Sequence, residues 1–116
     1  MLQLWYDEEL EGVQDKLRHL KTVSNPKTVI ENAQHYFNDP NIKVYLSPVK
    51  NKKYAIYDPI HKKLISFGNP SYEDYTYHLD DRRRENYLKR ASNIRGNWRN
   101  NPYSPNNMSQ FLLWNK

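Results

Sequence analysis

The chain has no cysteine. A disulfide framework and a thiolate metal site are therefore excluded, and the absence fits a reducing compartment. It has only three glycines, with no Gly-rich phosphate loop and no G-x-S-x-G nucleophile elbow. Its histidines are His19, His35, His61 and His78, and no two lie two to four residues apart. No apolar run approaches the roughly 20 residues needed to span a bilayer. The opening MLQLWYDEELEG turns acidic before any long apolar run, so no secretory leader is expected. These absences predict a soluble domain with no membrane partner, no metal and no cofactor.

Aromatic residues are plentiful, at 14% of 116 residues, with ten tyrosines and three tryptophans. Disordered chains are poor in aromatics, so a folded domain is expected, its core leaning on Tyr and Trp. Net charge is +5, unevenly spread. Residues 1–38 carry four basic and six acidic groups, and residues 39–116 carry fourteen and seven. The second segment, at net +7, is a plausible electrostatic footprint for nucleic acid. A solubilising surface is the plainer reading of the same charge.

Residues 7–21 predict an amphipathic helix, with Leu10, Val13, Leu17 and Leu20 at one-face spacing. Acids fill its first turns and bases its last, which complements the helix dipole. Residues 26–38 predict a second helix, with Asn25 as cap and Pro26 at the first helical position. Its buried face would be Val29, Ile30, Ala33, Tyr36 and Phe37. A short turn joins the two, which predicts an antiparallel hairpin.

After Pro40 the period changes. Residues 42–47, 52–58 and 62–68 alternate and are rich in β-formers. They predict a small antiparallel sheet of two or three strands. Residues 73–91 predict one longer basic helix, and Ser104-Pro105 begins a short C-terminal one. The expectation is an α+β domain. The acidic hairpin, residues 1–40, would be a possible appendage to a basic domain, residues 41–116.

Candidate chemistry concentrates in SYEDYTYHLDDRRRENYLKR, residues 71–90. His78 and Asp81 stand three apart on a helix and could supply two metal ligands, but a third is missing. Asp80 and Asp81 are adjacent and point about 100° apart on a helix, so ion pairs with nearby arginines suit them better than acid–base work. A small nuclease using His78, Asp80 or Asp81 is a distant alternative, and no catalytic residue is assigned.

Phosphate binding is the better candidate. The residues nominated for it are Lys52, Lys53, Lys62, Lys63, Arg82, Arg83, Arg84, Lys89, Arg90, Arg95 and Arg99. The three consecutive arginines fan around a helix and cannot form one flat patch. Trp98, Phe111, Leu112 and Trp114 are nominated for protein contacts. No zinc finger, RNP sequence or basic zipper is present.

Three pieces carry a resemblance: ISFGNPSYEDYTYHLDDRRRENYLKR (65–90), Asn97-Trp98 followed by NPYSP (101–105), and FLLWNK (111–116). In this order the segment from about Lys53 onward resembles a family of short basic proteins of nucleocytoplasmic large DNA viruses, of the mimivirus and phycodnavirus kind. Tyr72, Asp74, Tyr75, His78, Arg83, Tyr87, Arg90, Trp98 and Trp114 match its pattern. Ala91 stands where the family has a histidine, the loop before the last helix is Asn-rich, and the first 40 residues lie outside the match.

The resemblance implies a viral origin and carries no reaction with it. By analogy with other small basic proteins of large viruses, a virion location is expected, with host cytoplasm during assembly, and the basic segment adds the expectation of a structural role contacting nucleic acid, DNA first. A minor capsid or adaptor protein acting only through other virion proteins is the alternative. The matching residues themselves suit either an aromatic core tied by Asp and Arg or a binding surface of arginines with His78.

Overall fold

A computed structural model describes residues 2–115. It is α+β, with a four-stranded mixed sheet in the order β1-β2-β3-β4 and five α-helices among the described residues. The strands are β1 (Leu4–Trp5), β2 (Val44–Leu46), β3 (Tyr54–Asp58) and β4 (Lys63–Phe67). The expected antiparallel sheet of two or three strands is thereby corrected. β2, β3 and β4 are antiparallel neighbours, but β1 adds a fourth strand, parallel to β2, with Leu4 beside Val44 and Trp5 beside Tyr45. Two residues are too short to show a period, and their partner lies some forty residues on. A parallel pair needs such a crossover, here supplied by α1 (Val13–Leu20) and α2 (Pro26–Tyr36).

The helices are shorter than their patterns. The first starts at Val13, because Gly12 takes a left-handed φ of 73° and Asp7 Oδ1 closes a turn on the Glu9 N–H. The predicted 73–91 helix is two. α3 (Tyr75–His78) ends where Leu79 turns left-handed at φ 55°, and α4 (Asp81–Ser92) begins anew. Each has an aspartate cap: Asp74 accepts from the Thr76 N–H, and Asp80 accepts from the Arg82 and Arg83 N–H groups. Such caps satisfy donors that a helix start leaves open. After a 3₁₀ turn at Trp98–Asn100, α5 (Pro105–Met108) starts at a Ser104 cap and runs on as a π-helical turn through Leu113.

Alternation along the strands sends Val44, Leu46, Tyr54, Ile56 and Phe67 into one core. Val13 and Leu20 from α1, Val29, Ile30 and Ala33 from α2, and Met108, Leu112, Leu113 and Trp114 from the C-terminal segment complete it. The acidic residues 1–40 thus share a core with the basic segment, and the expected antiparallel helical hairpin is corrected, because α2 packs chiefly on the C-terminal π-helical turn and on β1 rather than on α1. No helix among the described residues is long and apolar enough to cross a membrane.

Candidate nucleic-acid interface

The signature segment first builds a buried anchor. Lys53 precedes β3, and its ammonium donates to Asp74 Oδ2 at 2.9 Å, to the Tyr72 carbonyl at 2.7 Å and to the Val23 carbonyl at 3.4 Å. The two charged side chains are 2% and 1% exposed. Burial lowers the Lys53 pKa, and the Asp74 charge opposes that shift. Asp74 Oδ1 also takes the Thr76 N–H and hydroxyl. The Tyr54 hydroxyl donates to Ser24 at 2.7 Å. This network ties β3 to the start of α2 and to α3.

Arg84 is similarly committed. Its Nε donates to the Trp114 carbonyl at 2.6 Å, and its guanidinium lies over the Tyr75 ring. The Tyr75 hydroxyl in turn donates to Asp81. Trp114 stacks on Tyr87, ring centroids 4.2 Å apart and planes 10° from parallel. His78 lies against the same indole at 5.2 Å. Its Nδ1 accepts the Asp80 N–H, so in the neutral ring Nε2 carries the proton, and that buried atom has no partner. Burial, then the Arg83 charge, pushes the His78 pKa down.

Above this anchor opens a cleft of about 720 Å³. One wall is Lys52, Lys53, Gly68 and Asn69 from the ends of the β3–β4 hairpin. The opposite wall is α4, whose Arg83, Asn86, Tyr87 and Arg90 fall at i, i+3, i+4 and i+7 and so share one helical face. Tyr72 and Glu73 form the rim, and Ser109, Leu113 and Trp114 the floor. Gly68 is required here: its φ is +86°, and a Cβ would meet Leu113 Cδ1 at 2.9 Å and Lys53 Cβ at 3.1 Å.

Three accessible cations meet at this mouth. Arg83 is held by Glu73 at 3.0 Å in a half-exposed pair, which an incoming anion can replace at little cost because such pairs are weak. Lys52 and Arg90 have no ion-pair partner among the described residues. Tyr72 is 67% exposed beside them. Cations flanking an exposed ring with amide side chains suit a phosphodiester and a neighbouring base.

Of the nominated cations, the cleft brings together Lys52, Lys53, Arg83 and Arg90, and Lys53 is sealed in the wall. Arg82 and Lys89 are exposed on the remaining faces of α4. Lys62 stands on the β3–β4 turn and Lys63 opens β4, and Asp58 organises the turn by accepting the Ile60 and His61 N–H groups. Burial raises the Asp58 pKa, but the bonds to His61 and Ile60 outweigh it and hold the carboxyl low. Arg95 is exposed in the following loop, and Arg99 donates to the Ser92 carbonyl and covers the Trp98 ring. Of the residues nominated for protein contact, Leu112 and Trp114 are core, Trp98 is half-buried, and Phe111 is exposed while stacked on Tyr36.

The carboxylates weighed for catalysis hold the fold: Asp80 caps α4, and Asp81 accepts from Tyr75. Among the described residues no group of three or more His, Asp or Glu could hold a metal ion. Asn69, Asn86 and Glu73 were missed as site residues. Only their tertiary placement marks them, although Asn86 shares the Arg83–Tyr87–Arg90 stripe.

A model of a Family of unknown function (DUF5754) matches residues 42–91. The matched stretch supplies both walls and the rim of the cleft, while its floor comes from beyond it. No curated protein and no solved structure matches the chain.

Proposed function

We propose that this chain is a non-catalytic, nucleic-acid-binding component of a large DNA virus particle. It grips phosphates with Lys52, Arg83 and Arg90 at the cleft mouth, aided by Arg82 and Lys89. The observation that carries the reading is the cleft itself, where three accessible cations from two elements flank an exposed tyrosine. The viral and virion context comes from the resemblance over residues 53–116, and the matched family model adds no activity. Binding of this kind is driven by counterion release, so affinity falls linearly in log K against log salt. Fluorescence anisotropy of labelled DNA at several salt concentrations tests it. A steep slope is expected, and no binding at low salt would sink the proposal.

A minor capsid or adaptor role through protein contacts alone is the second reading. It is favoured by exposed apolar side chains at Ile60, Leu79, Ile94 and Phe111. It predicts a partner in particle fractions that survives high salt.

A further inference from the structure

The helices cover one face of the sheet, and the alternation of strand side chains defines the other. On that outer face Trp5 stands beside Tyr45 in β1 and β2. Tyr45 faces Ala55 in β3, so Tyr57, two residues further on, lies diagonal to it, about 7–8 Å away. Leu64 in β4 is the direct partner of Tyr57. The four side chains form one band across all four strands. Trp5, Tyr57 and Leu64 are 40%, 49% and 40% exposed. No ring stacking joins Trp5, Tyr45 and Tyr57 to one another.

A cation borders this face. The ammonium of Lys43 lies 4.8 Å from the Trp5 ring centroid. No outward position within the strands carries a carboxylate: they are Trp5, Tyr45, Ala55, Tyr57, Leu64 and Ser66. A cation-flanked aromatic band with no carboxylate in its strands complements unpaired bases on a phosphate backbone. An apolar protein partner would have no use for the lysine.

We infer that this outer sheet face is a second site, a stacking platform for single-stranded nucleic acid. Trp5, Tyr45 and Tyr57 take the bases, and Lys43 takes a phosphate. The inference rests on the nucleic-acid reading above and adds to it a preference for unpaired strands and a surface separate from the cleft.

The test uses the full chain with a labelled oligothymidine strand and a duplex of equal length. Wild type, Trp5→Ala and Tyr57→Ala are compared by anisotropy at fixed low salt. Each variant is expected to weaken single-strand binding by about fivefold or more while leaving duplex binding in place. Tyr57→Ala serves if Trp5→Ala disturbs the short edge strand. Ultraviolet crosslinking of a bromouracil-substituted strand is read by mass spectrometry alongside. Adducts on Trp5, Tyr45 or Tyr57 support the platform. Adducts confined to Tyr72 and Tyr87, or unchanged single-strand affinity in both variants, overturn it and leave the cleft reading standing. Wild type that binds neither probe overturns both. Loss of a dimer in sedimentation, with single-strand affinity unchanged, would instead make this face a contact between copies of the chain.

Discussion

Substituting Asp74→Asn would leave the Lys53 ammonium buried beside a neutral amide. The carboxamide can still accept the Thr76 N–H through its oxygen, so the α3 cap is largely kept and the change reports on charge. Removing one partner of a buried ion pair costs about 3–5 kcal/mol. An independent ceiling comes from proton release. Lys53 can escape the penalty by losing its proton, and from its ordinary pKa of 10.5 that costs about 5 kcal/mol at pH 7. The two figures agree, and against a typical total of about 5–15 kcal/mol the variant is left marginal.

The sign with pH follows from the lowered Lys53 pKa. The unfolded chain keeps its ammonium proton up to about pH 10.5, while the folded variant gives it up at lower pH. Stability of Asp74→Asn should therefore climb, by at most about 1.4 kcal/mol per pH unit, as pH rises toward about 10.5. Lys53→Met should be destabilised similarly near neutrality without that climb. The double variant should recover much of the loss, because a neutral pair leaves no buried charge. Urea unfolding followed by circular dichroism across pH is the assay. A loss below about 1 kcal/mol for Asp74→Asn with a flat pH profile would refute the buried-pair argument.

Burial raises the Tyr54 pKa, so its contribution holds below about pH 10 and is lost as pH rises further. Tyr54→Phe should cost about 1 kcal/mol near neutrality and blunt the alkaline loss in unfolding midpoints. His78 is the converse: its lowered pKa makes stability fall as pH drops below about 6.5. His78→Gln should flatten that acid limb, and an unaltered limb would count against a buried neutral imidazole. Gly68→Ala should cost about 2–4 kcal/mol from backbone and overpacking together. Gly12→Ala, also left-handed but in open space, should cost only about 1–2 kcal/mol, which the same unfolding assay checks.

Local signals were legible where chemistry is local. The apolar faces of α1 and α2 read correctly from spacing, and Ser104-Pro105 marked the start of α5. Asp80, expected to pair with nearby arginines, instead caps α4, and the unbroken helix-forming composition around Leu79 hid the break between α3 and α4. β1 was invisible because two residues gain their strand geometry only from a partner far along the chain. The cations of residues 82–90 read as a single charge-rich run, while their roles diverge by helical phase. Arg84 turns inward to the Trp114 carbonyl, Arg83 and Arg90 turn to the cleft, and Arg82 faces solvent. Lys53 and Trp114 looked like surface chemistry because burial of a lysine or a terminal tryptophan depends on tertiary partners that composition does not name.

The most direct test of the central claim compares salt slopes of DNA binding for wild type, Arg83→Gln, Arg90→Gln and Lys89→Gln. Each phosphate contact contributes about 0.9 to the slope on duplex DNA and about 0.7 on a single strand. Arg83→Gln and Arg90→Gln should each reduce it by about one such step and weaken binding, with Lys89→Gln, outside the cleft, having the smaller effect. Equal slopes in wild type and both cleft variants would contradict a phosphate grip at this cleft.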